Sequence, residues 1–226
     1  PRTPLRSSIN GDGEIHTVSP GRPIGLHPHH VAELAGHGIH LHFYGEITHG
    51  QWLQWIEKTQ AMVPGYLHLH PNVDQSRWTE EFSQYDAGWL HLFDSGNEGE
   101  IRKANWDDLN YPARLSTLAA AGLPMLQKAN DGALVATQTL TRQLGTGIFF
   151  DTVDELAAQL RDREQLNVIR ERVWEQRHLF MFDHHVPELV DFFREVIGSA
   201  SRKSGRATGF AGESPRLQNP RVASGT

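Results

Sequence analysis

Histidine, a residue type that could carry metal chemistry, occurs 14 times among the 226 residues of this sequence. Several histidines stand two positions apart in apolar runs that indicate strands, so the side chains of a pair share one face of a sheet. Neutral imidazole binds zinc and other first-row metals, and this spacing is compatible with a metal-dependent hydrolase. The sequence contains no HExxH motif and shows no carboxylate beside these pairs, so we predict partly buried strand and loop histidines with no bound metal. The clustered positions are His27, His29, His30, His40, His42, His68, His70, His184 and His185.

A second candidate group lies between a buried apolar run and a predicted helix. We expect Asn110 to cap this helix and Pro112 to occupy its first position, because the missing N–H of proline would be unpaired there anyway. Arg114 then falls on the first turn, where its guanidinium and the positive end of the helix would both attract phosphate. Gly122 and Pro124 are typical of a helix end. This segment therefore predicts an anion site.

The same segment carries a family resemblance. From residue 110 to residue 124 the sequence has the pattern N-x-P-x-R followed by A-x-G-x-P. This pattern resembles the N-x-P-x-K and A-x-G-x-P segment in the C-terminal, donor-binding domain of nucleotide-sugar glycosyltransferases of the GT-B fold, and the resemblance extends more weakly from about Thr17 to about Arg194. Arg114 replaces the family's lysine and could hold a diphosphate as well. Thr117 stands where the family commonly has a glutamate that holds the donor ribose.

The resemblance implies an enzyme, the C-terminal part of a hexosyltransferase-like glycosyltransferase. This part would bind a nucleotide-diphosphate sugar and transfer the sugar to a sugar or lipid-linked acceptor held by an absent N-terminal domain. That domain would supply any general base and any peripheral membrane association, and neither a metal nor another cofactor is expected. The catalytic residues are not identified. The donor would be bound by Arg22, Asn72, Arg102, Asn110, Arg114 and Thr117.

Two other functions are compatible with these residues. The first is a non-catalytic nucleotide-binding or scaffolding module of the same fold, which Thr117 favours because it lacks the ribose-binding carboxylate. The second is the metal-dependent hydrolase built on the histidine pairs. Metal content would distinguish the hydrolase from the other two, and nucleotide binding would distinguish a donor domain from a scaffold.

Composition excludes several classes of protein. The chain is 38% hydrophobic, which suffices for one sizeable core. Its net charge of −6 and isoelectric point of about 6.2 give no basic signature for nucleic acid. It contains no cysteine, so disulfides and thiolate zinc sites are excluded. No apolar run reaches the length of a membrane span, and no signal peptide is visible. We therefore expect a cytoplasmic protein.

The order of apolar and helical patterns predicts the elements that position these side chains. Short strands alternate with helices, which indicates a Rossmann-like α/β fold with a parallel sheet flanked by helices, one half of a GT-B fold. Loops that follow parallel strands meet at the carboxyl edge of the sheet, where ligands bind. We expect a linker at 1–13, the nucleotide-sugar-binding domain at 14–198 and a disordered tail at 199–226. The predicted strands are Glu14–Ser19, His37–Tyr44, Tyr66–His70, Ala87–Phe93, Met125–Gln127 and Ile148–Phe150.

Overall fold

A computed structural model describes residues 12–47, 50 and 52–207 of the chain. The chain divides into two compact units, Pro1–Met181 and Phe182–Thr226. The first unit contains one sheet of six parallel strands in the order β3-β2-β1-β4-β5-β6. The predicted Rossmann-like fold is therefore confirmed. The strands are β1 (Ile15–Pro20), β2 (Ile39–Tyr44), β3 (Leu67–His70), β4 (Ala87–Trp89), β5 (Met125–Lys128) and β6 (Gly147–Phe150).

Helices connect the strands and cover both faces of the sheet, as right-handed crossovers between parallel strands require. Strand β4 ends earlier than predicted, at Trp89. Its continuation turns toward the loop after β1, where the Leu92 N–H donates to the Ile24 carbonyl at 3.1 Å. The helices of the first unit are α1 (Pro28–Gly36), α2 (Leu53–Met62), α3 (Trp78–Phe82), α4 (Trp106–Leu109), α5 (Arg114–Ala120), α6 (Ala136–Leu144), α7 (Val153–Arg161) and α8 (Arg163–Gln176).

The two faces of strand β2 differ in chemistry because its side chains alternate. Ile39, Leu41 and Phe43 are buried in the larger hydrophobic cluster. His40 and His42, which are also buried, face the opposite way. A parallel strand covered on both faces is usually apolar throughout. The histidine face is therefore an exception that needs polar partners.

Helix α5 packs closely against the sheet because a glycine faces it. A Cβ at Gly88 would lie 2.2 Å from the side chain of Leu118, which is fully buried. The second cluster of buried apolar residues forms here and includes Val18, Phe82 and Met125. This packing places the beginning of α5 at the carboxyl edge of the sheet, beside the ends of β1 and β4.

The second unit contains α9 (Phe182–Ala207), which continues beyond the predicted domain end at residue 198. Residues 1–11 and 208–226 lie outside the described part, so the linker and tail boundaries stay predictions. Within the described ranges, no helix combines the length and apolar character needed to cross a membrane.

Candidate functional site

The strand order reverses between β1 and β4, and this reversal opens a crevice at the carboxyl edge of the sheet. The loop after β1 closes over the chain that follows β4. Gly25 has a φ of +75°, and a Cβ there would lie only 1.6 Å from the Leu92 carbonyl oxygen. Only glycine permits this approach of one backbone to another. This contact holds the loop after β1 against the chain that follows β4.

Arg114 lies at this crevice and is only 8% exposed. Its Nη1 donates to Ser19 Oγ at 3.4 Å and to the Trp89 carbonyl at 3.5 Å, and its Nη2 donates to the Arg22 carbonyl. These partners, which belong to β1, β4 and the loop after β1, are all neutral. Arg114 is buried because α5 carries this side chain over the ends of two strands.

The guanidinium of Arg114 has no acidic partner among the residues that the structure describes. Burial, with a further contribution from the nearby charge of Arg22, lowers the pKa of Arg114 to about 10. The group therefore stays positively charged at neutral pH. A buried charge without a counter-ion is energetically costly, so this position is suited to an anionic ligand.

A cavity of about 780 Å³ adjoins Arg114 between α3 and α5. Its volume is in the usual range for small-molecule sites. Of the six predicted donor-binding residues, the cavity brings together Asn72, Arg114 and Thr117. Aromatic rings of Tyr44 and Trp78 form part of its wall. The other lining residues are Pro20, Gly21, Val73, Gln75, Thr79, Phe82, Ala113, Ser116, Ala120, Phe180 and Met181.

The other three predicted residues are not among those that line this cavity. The side chain of Arg22 is exposed, although its carbonyl accepts from Arg114. Arg102 is exposed on a short 3₁₀ turn, Ile101–Lys103. Asn110 lines a separate cavity of about 10 Å³. Its predicted capping role is wrong, because Asn110 follows α4 and the cap position of α5 is Ala113. Tyr111 precedes Pro112, and the residue before a proline is held extended. The chain therefore leaves α4 before α5 begins.

Sequence reasoning missed His91, at the carboxyl end of β4. Burial first, and then the positive charges of Arg114 and Arg22, lower the pKa of His91 to about 4. The ring is therefore neutral at pH 7 beside two cations. The sequence did contain a signal, because His91 is the one polar side chain in the otherwise apolar run AGWLHLF.

Five histidines form a hydrogen-bonded cluster on one face of β1, β2 and β3. His16 Nδ1 lies 2.9 Å from His42 Nε2, and His42 Nδ1 lies 2.9 Å from His70 Nε2. These three histidines form one hydrogen-bonded row. A second row consists of His40 and His68, whose Nδ1 and Nε2 atoms also lie 2.9 Å apart. We call these five residues the histidine cluster. Burial and the neighbouring histidines lower the pKa of His42 to about 2, so the ring of His42 is neutral at pH 7.

Each row of the histidine cluster ends on a carboxylate. His16 Nε2 lies 3.3 Å from Asp12 Oδ2, and His40 Nε2 is paired with the carboxylate of Glu14. The expectation that no carboxylate stands beside the histidine pairs is therefore wrong. The strand register creates these neighbours, since it sets His16 beside His40. In the described chain, one group, Asp12, His16 and His40, has metal-ligand atoms within 4.8 Å of one another.

A further cavity of about 550 Å³ lies beside α1 and the beginning of α7, and His27, His29 and His30 line it. Lys128 also lines it, but this cation is already paired with Asp94 at 2.8 Å. The acidic residues along this cavity make it less suited to a diphosphate than the cavity beside Arg114. They are Glu33, Asp94, Asp151 and Asp154.

A scan against protein-family models finds no match, and a search of curated proteins finds none either. Among solved structures, the chain is similar to the crystal structure of accessory secretory protein 1, 2 and 3 from Streptococcus pneumoniae. The sequence identity is 10% and the TM-score is 0.48, and the match covers 82% of this chain and 35% of that chain. It is also similar to MurG from Acinetobacter baumannii, with 12% identity and a TM-score of 0.47, over 74% of this chain and 46% of that chain. The chain thus spans less than half the length of either solved chain. At this identity the likeness concerns the fold alone.

Proposed function

We propose that this chain binds a nucleotide-diphosphate sugar and serves as the donor-binding part of a glycosyltransferase of the GT-B type. The observation that carries the proposal is the buried guanidinium of Arg114, which has only neutral partners in the part of the chain described. A diphosphate would supply the missing negative charge. The sequence pattern at residues 110–124, which includes Arg114, supports the same function through its resemblance to that family.

The cavity beside Arg114 offers a different surface for each part of such a donor. The diphosphate would lie at the crevice, toward Arg114 and Arg22, and the aromatic wall of Tyr44 and Trp78 would receive an apolar or stacking portion. Charge-assisted hydrogen bonds to a leaving diphosphate stabilise the negative charge that develops during transfer. In this scheme the reaction uses no metal. The acceptor and any general base would come from outside this chain.

Calorimetric titration with uridine, guanosine and adenosine diphosphates tests this proposal. Arg114→Met removes the cation but keeps a long apolar side chain in the buried position. It should weaken binding at least about tenfold, since a hydrogen bond to a charged group contributes about 1.5–3 kcal/mol and 1.4 kcal/mol corresponds to a factor of ten. Circular dichroism checks that the variant is folded.

Arg142→Met is the matched control, because Arg142 is exposed, is paired with Asp131 and does not line the cavity. It should bind as tightly as the parent protein. The proposal fails if the parent binds none of the three nucleotides, or if Arg142→Met loses as much affinity as Arg114→Met.

A nucleotide-binding module without transferase activity is the second candidate. Thr117 favours it, since this residue lines the cavity at the position where the family commonly has the ribose-binding glutamate. Both candidates predict nucleotide binding that depends on Arg114. Turnover of labelled nucleotide sugars with sugar and lipid-linked acceptors, measured on the full-length protein, separates them.

A further inference from the structure

Four side chains with metal-ligand atoms converge where the chain enters β1 and β2. His16 and His40 occupy paired positions on these strands, and their rings stack in parallel with centroids 4.3 Å apart. The Nε2 atom of each ring faces a carboxylate, Asp12 in one case and Glu14 in the other. Two imidazole nitrogens and two carboxylates therefore share one small region, at the edge of the sheet opposite to Arg114.

The other nitrogen of each ring is fixed by a second histidine. His16 Nδ1 is hydrogen-bonded to His42, and His40 Nδ1 to His68, each at 2.9 Å. Histidines that bind metals are usually oriented in this way, with one nitrogen on the metal and the other in a hydrogen bond. The rings of His16 and His40 are thus held with their Nε2 atoms toward the carboxylates before any ion arrives.

We propose that Asp12, His16 and His40 bind one divalent first-row transition metal ion of the class of Zn²⁺, Co²⁺ and Ni²⁺, with Glu14 as the fourth ligand. A set of two imidazoles and two carboxylates suits these ions, whereas Mg²⁺ and Ca²⁺ prefer oxygen ligands. The ion would join the segment before β1 to β1 and β2. It would therefore stabilise the folded chain through its binding free energy.

The ligand atoms of Asp12, His16 and His40 must move closer together when the ion binds. These three lie within 4.8 Å of one another, whereas tetrahedral zinc with bonds of about 2.0–2.1 Å brings its ligand atoms to about 3.3 Å apart. Glu14 already contacts His40 Nε2 and would turn its carboxylate from that hydrogen bond to the ion. The side chains of Asp12 and Glu14 are 46% and 38% exposed, so they have room for much of this movement. The buried rings need only tilt out of their parallel stack. We therefore expect micromolar rather than nanomolar affinity.

Metal binding would reverse the hydrogen bonds of the histidine cluster. Without metal, His16 Nε2–H donates to the Asp12 carboxylate, which is an acceptor only. His16 Nδ1 then accepts from His42 Nε2–H, and His42 Nδ1 accepts from His70 Nε2–H. A metal ion on His16 Nε2 requires the proton on Nδ1, so His16 donates to His42 and His42 donates to His70. Each ring keeps one proton and stays neutral. The tautomer of His70, beside Asn72 and Tyr44 at the other edge, thus reports metal binding.

Calorimetric titration of the untagged full chain with Zn²⁺ alone tests the site. The parent should bind one equivalent with a Kd below about 10 μM, and Asp12→Asn and His40→Gln should each weaken binding at least tenfold. The double variant His29→Gln/His30→Gln is the matched control, because these rings also lie close together, with centroids 4.0 Å apart. It should keep the parent affinity. Asp12→Asn is the decisive variant, since it alters an exposed side chain and leaves the core intact.

Imidazole ¹⁵N chemical shifts give a second measurement. On addition of Zn²⁺, His16, His42 and His70 should change from the Nε2–H to the Nδ1–H tautomer, and Arg114→Met should show the same change. The proposal is overturned if the parent does not bind Zn²⁺, if Asp12→Asn binds as tightly as the parent, if the His29/His30 control loses the site, or if the tautomers do not change.

Discussion

At the scale of the residue, the site depends on the charge of Arg114, which has no acidic partner in the described part of the chain. Arg114 is buried against neutral hydrogen-bond acceptors, and Arg22 adds a second positive charge nearby. Burial first, and then the positive charges of these two arginines, lower the pKa of His91. A bound diphosphate would remove the cause of part of that shift, so ligand binding and protonation of His91 should be linked.

This linkage predicts proton uptake when a nucleoside diphosphate binds. The pKa of His91 is about 4 in the free protein, and the added negative charge raises it, so the complex holds more protons than the free protein. Affinity in the parent should therefore rise, relative to His91→Asn, as pH falls from about 7.5 to about 5.5. Calorimetry in two buffers of different ionisation enthalpy measures the uptake. The His91→Asn titrations remove the contribution of the phosphate's own protonation, and equal uptake in both proteins would contradict the prediction.

At the scale of the element, the loop after β1 shapes the crevice by touching the chain after β4. Gly25 makes this contact possible, since any side chain there would meet the Leu92 carbonyl. The Leu92 N–H in turn donates to the Ile24 carbonyl at 3.1 Å. Loop and strand end are thus joined by backbone atoms, which positions the Arg22 carbonyl that accepts from Arg114.

Gly25→Ala should therefore damage both the fold and the site. The Cβ would overlap a backbone oxygen and the positive φ would be strained, so we expect a loss of more than about 2 kcal/mol in the free energy of unfolding. Gly36→Ala is the control, because nothing lies within 4 Å of its Cβ, and it should stay within about 1 kcal/mol of the parent. Urea denaturation measures both. Equal stability of the two variants would show that the loop adapts at little cost.

At the scale of the whole molecule, the sheet and both hydrophobic clusters belong to the first unit. Every described residue of the two clusters lies before residue 182, where the second unit begins. The candidate cavity is likewise lined by residues of the first unit. The second unit contributes α9, and several of its large apolar side chains are exposed.

A chain that ends at Met181 should therefore fold and keep its ligand site. We expect a cooperative urea transition, because the shortened chain retains its complete hydrophobic clusters. Its affinity for the nucleoside diphosphate that the parent binds should change by less than about twofold, or about 0.4 kcal/mol. Circular dichroism and calorimetry measure these quantities. Loss of the cooperative transition would show that the first unit depends on α9.

The sequence alone determined the order of the strands along the chain. Apolar periodicity and the Gly and Pro positions are local signals, and they predicted each strand to within about two residues except the end of β4. The parallel, helix-covered sheet followed from the alternation of strands and helices. Local signals failed at Asn110, where the proline two residues later separates the two short helices instead of beginning one.

Only the tertiary structure decided which side chains meet. Asp12 and Glu14 reach His16 and His40 because β1 and β2 pair in one register, and a shift of one residue would turn the histidines to the other face. Arg114 became a buried cation because α5 crosses the ends of β1 and β4, which are distant in sequence. Burial and long-range proximity set these charges, and neither quantity is present in the local sequence around each residue.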